Sequence, residues 1–192
     1  MGPSSPVAFV DPRTIVLLTG VMGGLMAVVL FFLRRNYPAS VRGLSHWAGG
    51  TALLFMAGLT AATRGILPDL FAISAANLLI FSGVYLQYFG SQLFFGQEPE
   101  FWPRYGVIVG LTLLSTWFLV VDPQYRMRLM VSIVVMTWLF SAHAYLIYTR
   151  GARSFAYRLA FGVLVCSVLS QALRFATAWI LPLGTGILDN TP

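Results

Sequence analysis

The 192-residue chain has little charge and few of the side chains that soluble enzymes use for chemistry. It contains 12 arginines and no lysine, six acidic residues, two histidines and one cysteine, so charged residues make up only 9% of it. Soluble proteins carry about 25% charged residues. A chain with so few cannot cover a water-facing surface, and the composition therefore excludes a soluble globular protein.

The scarce reactive side chains also exclude several kinds of site. Cys166, the one cysteine, permits neither an internal disulfide nor a CxxC metal or redox motif, and we expect it to pack as a small apolar residue. No nucleophile–base pair, P-loop or zinc motif is present. The acidic residues all fall in predicted loops or tails, which argues against a proton-coupled pump: Asp11, Asp69, Glu98, Glu100, Asp122 and Asp189.

The formal net charge of +6 does not indicate nucleic-acid binding, although the pI is near 10. The arginines stand singly or in pairs near the ends of apolar runs, not along one face of a soluble domain. Arginines in this pattern are typical of anchors against anionic lipid headgroups. The lipid bilayer is therefore the expected partner, and nucleic acid is not.

Long apolar runs dominate the rest of the sequence, which is 58% hydrophobic with a mean hydropathy of +0.79. The runs are long enough for membrane-spanning helices. The sequence predicts an all-α fold, a polytopic transmembrane helical bundle of six helices that forms a single domain over residues 1–192. The predicted helices span about 14–33, 43–63, 70–95, 105–121, 126–149 and 155–179.

The ends of the runs predict the topology. Residues 1–12 lack a basic region and a cleavage pattern, so we expect no cleaved signal peptide. The pair Arg34 and Arg35 predicts that the first helix ends in the cytoplasm and that the N-terminus lies outside. The segment after residue 179 is too short and too interrupted to span the membrane again. Six spans leave both termini outside, which leads us to expect a further helix after Pro192.

The two histidines both fall inside apolar runs. His46 lies four residues after Arg42, and His143 lies seven residues before Arg150. At 1.5 Å per residue these positions are about 6 Å and 10 Å inside the same membrane face. An imidazole buried in lipid costs free energy unless both ring nitrogens have partners. Axial ligation of haem iron satisfies one of them, so the pair predicts a six-coordinate haem b between helices two and five.

The residues around the histidines fit a haem. Gly49 and Gly50 lie on the face of His46 and would leave room for a porphyrin. The absence of a CxxCH motif excludes covalent attachment. Four arginines at this depth are candidates to bind the propionates, namely Arg42, Arg150, Arg153 and Arg158. The alternative is that both histidines donate hydrogen bonds across helix interfaces and that the glycines allow close helix packing.

A second group of polar residues is predicted near the opposite membrane face. Asn77 of helix three and Gln171 and Arg174 of helix six would meet there at one depth. An arginine inside a bundle is a candidate for binding an anionic ligand, a quinone carbonyl or a lipid headgroup. The alternative is that Arg174 snorkels to the interface and Asn77 bonds between helices.

Three short stretches resemble a known family. They are the run RRNYPASVRGL from Arg34 to Leu44, the pair His46-Trp47, and the run LPDL from Leu67 to Leu70. They resemble the N-terminal membrane sensor region of bacterial diguanylate cyclases. The resemblance implies a multi-pass protein of the bacterial inner membrane, a homodimer, and a cytoplasmic GGDEF-type output domain that makes cyclic di-GMP. This chain carries no catalytic residues, so it is not expected to be an enzyme itself.

Three functional hypotheses follow. The first is a membrane sensor that binds haem b through His46 and His143 and relays a redox, gas or haem signal to the cyclase. Six-coordinate iron favours redox sensing, because a gas must first displace a histidine. The second is a membrane b-type cytochrome that exchanges electrons with a quinone. The third is a haem-free ligand-sensing bundle that uses Asn77, Gln171 and Arg174.

Overall fold

The computed structural model describes residues 12–38, 41–63 and 66–180, and these form six α-helices without a strand. The all-helical prediction is confirmed, and each helix begins and ends within four residues of its predicted limits. The helices are α1 Pro12–Asn36, α2 Leu44–Ala62, α3 Asp69–Phe94, α4 Phe101–Val120, α5 Tyr125–Arg150 and α6 Phe155–Ile180. Two predicted segments lie outside the described residues: the leader at 1–11 and the tail at 181–192.

Helix α4 begins four residues earlier than predicted. The sequence places a loop as far as Arg104 because of Pro103, but the helix starts at Phe101. Proline is tolerated in the first helical turn, where its missing N–H has no partner to lose. The earlier start brings Arg104 into the helix, and its Nη1 donates to Gln92 Oε1 of α3 at 3.4 Å.

Four of the described helices are long and apolar enough to cross a membrane. They are α3 from Leu70 onward, α4, α5 and α6. A run of about 20 apolar residues spans the hydrocarbon core. The composition and these four helices support a membrane protein. A topology of six spans would also require α1 and α2 to cross the membrane.

The core lies between α3, α4 and α5. It contains Ile108 of α4, Val135 and Leu139 of α5, and a row of larger side chains from α3. Tyr85 of α3 is completely buried, and its hydroxyl donates to the Phe101 carbonyl oxygen at 3.0 Å. This bond gives the buried phenol a partner and ties α3 to the first turn of α4.

The other three helices extend this core sideways. Helix α2 packs on α3, α1 packs on α2, and α6 packs on α5. Helices α2 and α5 both pack on α3, but among the described residues their backbones do not pack directly on each other. Helix α3 therefore stands between the two helices that carry the histidines.

Glycines bring α2 and α3 into backbone contact. Gly43, just before α2, faces Gly90, and Gly50 faces Gly83, so the two contacts are seven positions apart in both segments. A Cβ at Gly50 would lie 2.6 Å from the Gly83 carbonyl oxygen, and one at Gly83 would lie 2.8 Å from the Gly50 oxygen. Small residues at a shared face let membrane helices approach this closely. The space left by the missing side chain of Gly50 is thus occupied by α3.

Candidate functional site

The short turns place seven arginines at one end of the protein. The C-terminal ends of α1, α3 and α5 and the starts of α2, α4 and α6 meet there. Arg42 at the start of α2 pairs with Glu98 of the α3–α4 loop at 3.3 Å, which shows that these segments are neighbours. We call this the arginine-rich end; its arginines are Arg34, Arg35, Arg42, Arg104, Arg150, Arg153 and Arg158.

His143 of α5 bonds to α3 near this end. Its Nε2 lies 2.8 Å from the hydroxyl oxygen of Ser91, which is itself buried. The imidazole also packs on the ring of Tyr88, with ring centroids 5.9 Å apart. The histidine predicted to hold iron therefore has a protein partner at this nitrogen.

The same serine hydroxyl also accepts a hydrogen bond from a side chain of α2. Trp47 Nε1 donates to Ser91 Oγ at 3.1 Å and to the Gln87 carbonyl oxygen at 3.1 Å. Since His143 and Trp47 come from α5 and α2, Ser91 connects two helices whose backbones do not pack directly on each other.

Further hydrogen bonds extend the group along α2 and α3. Gln87 Nε2 donates to Thr51 Oγ1 at 3.4 Å, and Thr51 donates to the Trp47 carbonyl oxygen at 2.8 Å. Ser91 Oγ lies 3.0 Å from the Gln87 carbonyl oxygen. We call these five residues, Thr51, Trp47, Gln87, Ser91 and His143, the three-helix junction.

The Ser91 hydroxyl has one proton for two acceptors. When His143 carries its proton on Nε2, it donates to Ser91, and Ser91 donates to the Gln87 carbonyl oxygen at 3.0 Å. When the proton sits on Nδ1, Ser91 donates to His143 instead, and the Gln87 carbonyl oxygen loses the Ser91 side-chain bond but keeps the bond from Trp47. A neutral imidazole has these two tautomers. The junction therefore has two hydrogen-bond arrangements that leave His143 and Trp47 on Ser91.

His46 lies on the other side of α3. Its ring packs on Phe89, with centroids 5.1 Å apart, and its Cβ would lie 3.0 Å from a Cβ built on Gly90. Its Nδ1 is 3.5 Å from the hydroxyl oxygen of Ser45. The half-buried imidazole thus uses residues 89 and 90 of α3, whereas His143 uses residues 88 and 91.

This arrangement does not fit a haem shared by the two histidines. At about 100° per residue, the faces of α3 that carry residues 88 and 91 and residues 89 and 90 point in roughly opposite directions. Both histidines lie at one level of α3, as their distances from the helix ends predict, but α3 itself separates them. Gly50 packs against α3, and a Cβ built on Gly49 would lie 3.8 Å from Cδ1 of Leu86. A bis-histidine haem, expected from the sequence, would require α3 to leave this position.

The arginines predicted to bind propionates are also separated. Arg42, two residues before the start of α2, pairs with Glu98. Arg150, Arg153 and Arg158 lie at the α5–α6 turn, where Arg158 Nη2 donates to the Arg153 carbonyl oxygen at 3.1 Å. The four cations therefore surround the arginine-rich end and do not converge on one ligand.

The second predicted group is divided between two helix pairs. Asn77 Nδ2 donates to Ser115 Oγ of α4 at 3.4 Å, while Arg174 Nη1 donates to Gln171 Oε1 of its own helix at 3.4 Å. Helix α6 packs on α5 and not on α3 among the described helices. Asn77 therefore bonds between helices, as its alternative interpretation states, and it does not join Gln171 and Arg174.

Sequence reasoning missed Ser91, the residue on which the junction depends. The sequence holds a usable signal, because Gln87 and Ser91 are polar, lie four residues apart and share a face of an apolar helix. Gly83 and Gly90 mark a neighbouring face as a helix contact. Comparison with protein-family models, curated proteins and solved structures finds no match for the chain.

Proposed function

We propose that the chain is a membrane sensor domain that crosses the bilayer six times and uses the three-helix junction as its switching element. The observation that carries this proposal is the Ser91 hydroxyl, which holds His143 of α5 at 2.8 Å and Trp47 of α2 at 3.1 Å. A change at one side chain can reach the other helix through this single group.

The energetics of buried polar groups support such a role. A polar side chain inside a membrane protein costs free energy unless it has a partner, so the junction bonds resist partial opening. The two arrangements of the Ser91 proton differ by one bond to the Gln87 carbonyl oxygen. A stimulus shifts a two-state equilibrium only through its different affinity for the two states. Both arrangements keep His143 and Trp47 on Ser91, so a ligand or redox partner would move α2 relative to α5 only by breaking one of these two bonds.

The edge helices are suited to pass such a movement on. Helix α1 packs only on α2, and α6 packs only on α5, among the described helices. A displacement of α2 relative to α5 would therefore move the ends of α1 and α6 apart or closer together. The resemblance to diguanylate cyclase sensor regions adds the proposal that a cytoplasmic GGDEF-type domain receives the signal. The proposal requires no haem.

Removal of the Ser91 hydroxyl tests the relay. In Ser91→Ala, we expect the distance between spin labels at Tyr37 and Phe155, which lie at the arginine-rich end, to change by about 2 Å or to broaden. The label pair at Ile66 and Tyr125, at the opposite end, should keep its distance. Double electron–electron resonance of the protein in lipid nanodiscs, with Cys166 replaced by serine, measures both distances.

The matched control is Ser167→Ala. Its hydroxyl donates to the Val163 carbonyl oxygen of its own helix at 2.9 Å, so it joins no second helix. It should leave both distances unchanged. If Ser91→Ala and Ser167→Ala give the same narrow distance distribution at the arginine-rich end, the junction does not relay movement and the proposal is wrong.

The proposed topology places the arginine-rich end in the cytoplasm, because cytoplasmic loops are enriched in arginine and lysine. We expect a cysteine at Tyr37 to be protected from a membrane-impermeant maleimide in intact cells, and a cysteine at Ile66 to react. Both residues are exposed, and each variant would carry Cys166→Ser. Labelling at Tyr37 alone would reverse the orientation, and equal labelling of both would contradict an odd number of spans between them.

A further inference from the structure

The turn between α5 and α6 encloses an open cleft at the arginine-rich end. The cleft has a volume of about 760 Å³. Its lining combines two guanidinium groups with three aromatic rings and a glycine: Arg153, Arg158, Tyr148, Tyr157, Phe161 and Gly151. Cavities of this size hold small ligands. The lining therefore offers both positive charge and apolar surface.

Among the described residues, no ion pair involves the two arginines of the cleft. The sequence has no acidic residue between Asp122 and Asp189, so α5 and α6 supply none. The ion pair found among the described residues joins Arg42 to Glu98 and uses neither Arg153 nor Arg158. Arg158 donates one N–H to the Arg153 carbonyl oxygen at 3.1 Å, which orients its guanidinium across the turn. The remaining N–H groups are available for an anion.

The aromatic residues give the cleft two apolar walls. Tyr148 and Phe161 pack with ring centroids 5.7 Å apart and join α5 to α6. Tyr157 packs on Phe95 at the end of α3, with centroids 5.9 Å apart. Both α5 and α6 are long and apolar enough to cross a membrane, so the turn lies where their apolar spans end. Basic pockets between membrane helices on the cytoplasmic side bind anionic headgroups.

We propose that the α5–α6 cleft binds the phosphate of an anionic phospholipid headgroup through Arg153 and Arg158. Guanidinium groups bind phosphate oxygens in pairs of parallel hydrogen bonds, which favours arginine over a simple point charge. The ring walls would contact the glycerol backbone and the first acyl carbons, which a soluble phosphate ester lacks. This site is separate from the three-helix junction, and it does not depend on the proposed sensor function.

Native mass spectrometry of the detergent-solubilised full chain tests the site, with phosphatidylglycerol and phosphatidylcholine as probes. We expect phosphatidylglycerol to bind more tightly, and the double variant Arg153→Gln/Arg158→Gln to lose about tenfold of that affinity. The matched control is Arg34→Gln/Arg35→Gln, which removes the same charge from the same end outside the cleft and should keep the affinity. If the cleft variant and the control variant lose the same affinity for phosphatidylglycerol, the site is overturned, because the lipid then responds only to the general surface charge of this end.

Two further arms identify the ligand and guard against misfolding. Glycerol 3-phosphate should bind much more weakly than phosphatidylglycerol; equal affinity would overturn the lipid assignment in favour of a soluble phosphate ester. The variant Arg153→Lys/Arg158→Lys keeps the charge but not the paired hydrogen bonds, so we expect an intermediate affinity. If both double variants at these positions bind phosphatidylglycerol as the wild type does, the assignment is wrong.

Discussion

The variant Gly50→Ala is expected to lower the free energy of unfolding by about 2 kcal/mol or more, in the range found for overpacked cores. The added Cβ would lie 2.6 Å from the Gly83 carbonyl oxygen and 2.9 Å from Cγ of Gln87. The first contact is with backbone, so the two helices must separate to accommodate it. Because Trp47 reaches Ser91 across this interface, the separation also strains the three-helix junction. Unfolding of the purified protein in mixed micelles, followed by circular dichroism, measures the loss.

The neighbouring residue provides the control. A Cβ at Gly49 would meet only Cδ1 of Leu86, at 3.8 Å, which is ordinary van der Waals contact. Alanine is favoured over glycine inside a helix by about 1 kcal/mol, so Gly49→Ala should be neutral or slightly stabilising. Equal destabilisation by both variants would mean that α2 and α3 do not pack through Gly50.

The fold follows closely from the sequence because its main signals are local. Apolar runs bounded by proline, glycine and arginine define the six helices, and these features act within a few residues of each boundary. The predicted first residue of α4 carries the largest error. A proline usually marks a helix boundary, but proline is also tolerated in the first turn of a helix. The shared level of the two histidines along α3 was equally predictable, because it depends only on their distances from the helix ends.

The site was harder to predict because it depends on which helices are neighbours. His46 and His143 lie at one level, but their sequence positions do not show that α3 separates them. The glycines illustrate the same limit. From the sequence alone, Gly49 and Gly50 are expected to leave an open surface on α2. Only the register of α2 on α3 shows that Gly83 occupies the space beside Gly50. Lateral arrangement is a property of the whole chain, and two helices alone do not determine it.

The two histidines are expected to differ strongly when each is replaced. His143→Ala should lower the free energy of unfolding by about 1–3 kcal/mol, because it removes the 2.8 Å bond to the buried Ser91 and leaves space beside Tyr88. His46→Ala should cost about 0.5 kcal/mol, since the half-buried ring has only a 3.5 Å contact to Ser45 and packing on Phe89. The same micelle unfolding experiment measures both. Equal losses would contradict the separate environments of the two imidazoles.

The most direct measurement is an absorption spectrum of the purified wild-type protein, oxidised and then reduced with dithionite, after expression with haem supplied. Since α3 separates His46 from His143, we predict no Soret band. The contradicting result is a Soret band with split visible bands on reduction that disappears in both His46→Ala and His143→Ala. That result would mean that the two imidazoles bind one iron and that α3 does not stand between them.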